Sequence, residues 1–118
     1  MKKEDESFVR DMCVIFTQRE LDRLQSDVNC VKKDKEFDAT TVEKTQRLIS
    51  IMRSVKRGIS KYNKIKNFDK LPERAEIESC YEAYVKLEMH LMKSGKEAYD
   101  ELERRKVEKV LSKIKNKN

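Results

Sequence analysis

Apolar positions recur along this chain at steps of three and four, the spacing that keeps side chains on one face of an α-helix. The clearest run is Thr45, Leu48, Met52, Val55, Ile59 and Tyr62, which predicts a helix over 41–66. Ile77, Cys80, Tyr84, Leu87 and Leu91 repeat the pattern and predict a helix over 72–93. Upstream, Leu21, Leu24, Val28 and Val31 mark a helix over 18–33, and Phe8, Met12 and Ile15 mark one over 5–16. A fifth stretch, 97–114, is carried by Ala98, Leu102, Val107, Val110, Leu111 and Ile114. The apolar faces of the first two helices are rotated well away from each other, so a kink or break near Thr17 is expected.

Boundary signals agree with this division. Thr17-x-x-Glu20, Thr40-x-x-Glu43 and Ser94-x-x-Glu97 each have the form of a capping box, in which a hydroxyl accepts from an orphan N–H. Pro72 suits a first helical turn, where its missing N–H costs nothing, and Gly95 suits a helix end. Met12-Cys13-Val14-Ile15-Phe16 is apolar all the way round a helix. Two readings stay open for it: a central core helix, or a surface against another subunit. The expected fold is all-α, a bundle of four to five helices. It places a helical domain over 1–95 and a charged C-terminal helix with a frayed tail over 96–118, with no β domain evident.

Composition supports that fold: 2 Gly and 1 Pro in 118 residues are too few for the turns of an all-β chain. The longest apolar run, Met12–Phe16, is far short of the roughly 20 residues that cross a bilayer, so neither a membrane span nor a secretory signal is expected. Cys13, Cys30 and Cys80 are odd in number and unclustered, which favours a reducing compartment over a disulfide framework.

Charge changes the picture more than composition does. Residues 1–43 carry a net −3, 44–68 a net +8 and 69–118 a net +1, so the basic excess is local. Within 44–68 stand Lys44, Arg47, Arg53, Lys56, Arg57, Lys61, Lys64 and Lys66, with no Asp or Glu. On the expected helix, Arg53, Lys56, Arg57, Lys61 and Lys64 fall opposite the apolar face. They could be neutralised by the acidic start of the next helix (Asp69, Glu73, Glu76, Glu78 and Glu82), be solvated, meet an acidic protein partner, or touch phosphate. No exposed aromatics are interleaved to stack bases, so nucleic-acid contact would be electrostatic and salt-sensitive.

Enzyme chemistry finds little footing. His90, the only histidine, lies within Leu87-Glu88-Met89-His90-Leu91, and Cys80 stands ten residues away with no metal-ligand spacing. A helix-packing or surface role is expected for His90, and core packing for the cysteines. No phosphate-binding Gly-rich loop and no paired-carboxylate motif occurs, so no catalytic, metal or cofactor site is expected.

Three pieces, in order, resemble a known family. Met52-Arg53-Ser54-Val55-Lys56-Arg57-Gly58-Ile59-Ser60-Lys61-Tyr62-Asn63-Lys64-Ile65-Lys66 is similar to the basic helix of the first "partner of Sld five" (PSF) subunit of the eukaryotic GINS complex. Ala83-Tyr84-Val85-Lys86-Leu87, leading to Leu91-Met92-Lys93-Ser94-Gly95, resembles that subunit's Tyr-containing helix ending in a basic residue, Ser and Gly. Gln25-Ser26-Asp27-Val28-Asn29 is a short third match. The resemblance covers about residues 8–95 and implies a nuclear, non-catalytic subunit of a heterotetramer. That tetramer joins the MCM ring and a third factor in the replicative helicase and links it to the leading-strand polymerase.

By the same resemblance, Leu48, Met52, Val55, Ile59 and Tyr62 would hold the bundle; Met12, Ile15, Phe16, Tyr84 and Leu87 are expected, from their apolar pattern, to join them in the bundle or a subunit interface. Arg53, Lys56, Arg57, Lys61 and Lys64 would face acidic neighbours or shape an electropositive face open to DNA. The family normally continues into a small β domain, whereas Lys96–Asn118 is helical in pattern, so contacts ascribed to that domain are not carried over. The rival expectation is a small basic helical protein, unrelated to GINS, that binds nucleic acid or regulates.

Overall fold

Thr17 ends one helix and starts the next. Its side-chain oxygen accepts from the Glu20 N–H at 3.1 Å, while the preceding Phe16 leaves helical geometry at φ −98°, ψ 78°. The computed structural model describes residues 1–62 and 64–116, with the backbone alone for 97–99, 101 and 114–116. Its helices are α1 (Glu6–Ile15), α2 (Gln18–Val31), α3 (Ala39–Arg57) and α4 (Arg74–Asn116), with 3₁₀ turns at Lys3–Asp5 and Phe68–Lys70. The chain is all-α, as its periodicity implies. Thr17→Ala removes the acceptor at the α1–α2 break and is expected to cost about 1 kcal/mol, read as a fall in melting temperature. An unchanged melt would mean that the break is set by Phe16 packing alone.

The start of α3 differs from expectation. Asp38, rather than Thr40, caps it: the carboxylate accepts from the Thr40 N–H at 3.1 Å and from the Thr41 hydroxyl at 2.8 Å. Those bonds, the Thr41 hydroxyl foremost, hold the Asp38 carboxyl below its usual range. Aspartate is as good an N-cap as threonine and stands two residues earlier, so it takes the role.

Contacts divide the chain into two units, Met1–Glu88 and Met89–Asn118. In the first, the core is built from Val9, Met12 and Phe16, the α2 stripe Leu21, Leu24, Val28 and Val31, and Leu48, Ile49, Met52 and Val55 of α3. Ile77, Cys80, Ala83 and Leu87 of α4 complete it. Thr45 is also fully buried, and its hydroxyl donates to the Thr41 carbonyl at 2.8 Å, so its own polar group is not stranded. Phe16 meets the rings of Tyr84 and Tyr81 edge-on, with centroids 5.1 and 6.2 Å away.

The largest departure is the end of α3, which stops at Arg57 instead of running to residue 66. Gly58 takes the C-cap position, and the chain turns back: Lys66 N–H donates to the Gly58 carbonyl at 3.0 Å and Ser60 N–H to that of Lys64 at 2.9 Å. Ile59 and Ile65 form an isolated antiparallel bridge. Glycine and serine disfavour a helix interior, and the Ser60 hydroxyl accepts from the Tyr62 and Lys64 N–H groups, offering the backbone partners that a helix would otherwise supply. Asn67 then closes the segment in the left-handed region, φ 56°. Ile59 and Tyr62 therefore do not continue the helical apolar face, and Lys61 and Lys64 do not lie on the helix.

In the second unit the backbone is helical from Met89 to Asn116, so Gly95 ends no helix and Ser94 caps none. The flanking Lys-, Glu- and Leu-rich sequence outweighs the cost of about 1 kcal/mol for one glycine. Leu102, Val107, Val110 and Leu111 are exposed on it, while the Ala98 and Ile114 side chains and the last two residues of the expected frayed tail lie outside the described residues.

Candidate interaction surface

The basic segment splits into two parts with different surroundings. Its first part is satisfied within the chain: Arg47 pairs with Glu76 at 2.5 Å, Lys44 donates to the Ser79 hydroxyl at 3.0 Å, and Arg53 reaches Asp22 at 3.2 Å. The acidic start of α4 thus supplies one partner of the five considered, Glu76; α2 supplies Asp22. The Arg53 Nε, buried, has no hydrogen-bond partner among the described residues. Its second part, Lys56, Arg57, Lys61, Lys64 and Lys66, makes no ion pair among the described residues. Lys61 instead sits over the Tyr62 ring, 5.1 Å from its centroid.

The all-apolar run of α1 is buried on one side only. Met12 and Phe16 enter the core, whereas Val14 is 78% exposed and Ile15 48% exposed. Full burial within the chain is therefore excluded for this helix, and its outer side is an open apolar patch. Beside it, Arg10, Cys13 and Val14 of α1 line a groove of about 250 Å³ together with Ile59 and Ile65 of the turn after α3. Lys56 lies close enough to Cys13 to act on its thiol electrostatically. Lys64 lines an adjoining depression that shares Arg10 and Ile65, and Lys56 and Arg57 line a separate one with Gln18, Asp22 and Arg53. The turn brings Ile59 and Ile65 to α1, a meeting that no helical register would produce.

Of the other residues singled out by sequence, Leu48, Met52, Val55 and Leu87 are core, and Tyr84 is half-buried against Phe16. Tyr62, 72% exposed, is at the tip of the turn rather than in the bundle. Ile49, Ile51 and Ile65 are buried without having been expected; the run Leu48-Ile49-Ser50-Ile51-Met52, apolar at all but one position, carries the signal for the first two. Cys80 is buried, but Cys30 is exposed, so core packing fails for it. His90 is half-buried, and among the described residues no cluster of three His, Cys, Asp or Glu could hold a metal. Among the described residues no helix is long and apolar enough to cross a membrane.

A second polar cluster joins α2 and α4. Arg23 bridges Glu20 and Asp27, each at 3.0 Å, and reaches Glu88 at 3.5 Å. Burial pushes the Glu88 carboxyl above its ordinary value of 4.5; the Asp27 carboxylate adds to the shift and Arg23 opposes it. A carboxyl raised in the folded state contributes stability that is fully present below the unfolded value and is lost as pH rises through the folded one. Glu88→Gln is accordingly expected to raise the melting temperature at neutral pH and to flatten its decline above pH 4.5. An unaltered slope would mean that Glu88 titrates as an ordinary carboxylate.

Comparison with known proteins finds no family model that matches the chain, and no curated protein or solved structure that is significantly similar to it.

Proposed function

We propose that this chain is a non-catalytic assembly subunit of the GINS type, scaffolding the replicative helicase in initiation and elongation of DNA replication in the nucleus. The observation that carries the assembly part of this reading is the outer side of α1, where Val14 and Ile15 stand open on a helix whose other side is core. Large apolar side chains placed together at a surface are the mark of a face covered by another protein. The GINS part rests on the order and spacing of the three resembling pieces. Its partners are then the other GINS subunits, the MCM helicase and associated replisome factors. The loss of helix beyond Arg57 removes Tyr62 from the bundle role, leaving Leu48, Met52 and Val55 to fill it.

Co-expression with the other three GINS subunits of the same organism, followed by size-exclusion chromatography with light scattering, tests the reading. A stoichiometric four-chain particle is expected. A chain that elutes alone as a monomer would sink the assignment. One observation favours a second reading, a basic protein that touches nucleic acid electrostatically: the five cations from Lys56 to Lys66 that make no ion pair among the described residues. Duplex binding by the isolated chain, with a salt slope reduced by neutralising Arg57 and Lys61, would move that reading to first place.

A further inference from the structure

The groove between α1 and the turn after α3 has a composition that defines its occupant. We propose that it docks an acidic amphipathic helix of a partner protein, whose apolar residues enter between Val14, Ile59 and Ile65 and whose carboxylates meet the surrounding cations. The inference deepens the reading of this chain as an interaction subunit but does not depend on which assembly it joins.

Size comes first. A volume of about 250 Å³ is below the roughly 300–1,000 Å³ of small-molecule sites, and suits one or two aliphatic side chains. Such anchors, spaced along one helical face, are how amphipathic helices enter grooves. The lining comes second. Cys13, Val14, Ile59 and Ile65 give an apolar floor, which a phosphate backbone would leave uncovered.

Charge comes third. Arg10 is in the groove wall, Lys64 lines the depression that shares Arg10 and Ile65 with it, Lys61 stands in the same turn, and Lys56 acts electrostatically on Cys13. Two carboxylates line that depression as well: Glu6, which pairs with Arg10 at 2.9 Å, and Asp69. Lys56, Arg57, Lys61 and Lys64 have no such counter-charge among the described residues. An apolar slot with an excess of cations at its rim selects a ligand that is apolar on one face and carries carboxylates on its edges.

The test is a titration of the ¹⁵N-labelled full chain with a synthetic helical peptide bearing leucines at i, i+3, i+4 and i+7 and glutamates elsewhere. Saturable shifts at the amides of Cys13, Val14, Ile59 and Ile65 are expected. Ile59→Asp should weaken the affinity about tenfold and Lys56→Glu several-fold. Should Ile59→Asp not fold, Val14→Asp serves instead, because Val14 is already in solvent. Three results would overturn the proposal: no binding, equal binding of a scrambled peptide of the same composition, or shifts confined to Arg57 and Lys61 with duplex DNA competing equally. Binding here with no four-chain particle on co-expression, or the reverse, shows which of the two readings has failed.

Discussion

Phe16→Ala is expected to destabilise the Met1–Glu88 unit by about 3–5 kcal/mol, the largest loss of any single substitution outside its helix centres. Phe16 is 1% exposed and stands at the α1–α2 break, so its ring is buried where the two helices part. It also holds the edge-on contacts with Tyr84 and Tyr81, each worth about 0.5–1.5 kcal/mol beyond buried area. For a unit this small, each kcal/mol lowers the melting temperature by about 4–8 °C, so the drop should be roughly 12–40 °C. Circular dichroism on the full chain measures it. A loss below about 1 kcal/mol would mean that the tyrosines collapse into the space and that the break is held by the Thr17 cap instead.

The second large effect lies outside the fold. Replacing Val14 and Ile15 together by Asp should leave the melting temperature nearly unchanged, because neither side chain is in the core. The same change should weaken incorporation into a partner complex by about 2–4 kcal/mol, roughly 30-fold to 1,000-fold. Two carboxylates would be forced into an interface that gives them no partner. Light scattering on the co-expressed complex reads the outcome. A double variant that melts normally and still assembles in full would show that α1 presents its open side to solvent alone.

Helical registers with one consistent apolar stripe were legible in the chain. Leu21, Leu24, Val28 and Val31 are all buried as their spacing requires, and so are Thr45, Leu48, Met52 and Val55. The break at Thr17 was legible because two stripes on different faces cannot both meet one core on a straight rod. What failed was the extension of a good register past a weak residue. Ile59 and Tyr62 keep the three-and-four spacing, but Gly58 and Ser60 let the backbone choose a turn, and periodicity does not weigh that competition. The groove was illegible for the same reason, since Ile59 and Ile65 meet α1 only once the helix has ended. The fate of the cations was half legible: Arg47 found Glu76 in the acidic stretch considered for it, whereas Arg53 found Asp22 of α2.

The three thiols are graded by their surroundings, with Cys30 exposed, Cys13 half-buried and Cys80 buried. Burial pushes the Cys13 and Cys80 thiols up, against the pull of Lys56 on the first and of Arg47 on the second, so less of each is thiolate. A maleimide dye will therefore mark Cys30 first and give the last turn of α2 a single chemical address. Cys13 will react more slowly, and because it lies in the groove wall its alkylation rate becomes a footprint of any occupant. The chain thus carries its own reporter of occupancy, legible by mass spectrometry on the unaltered protein.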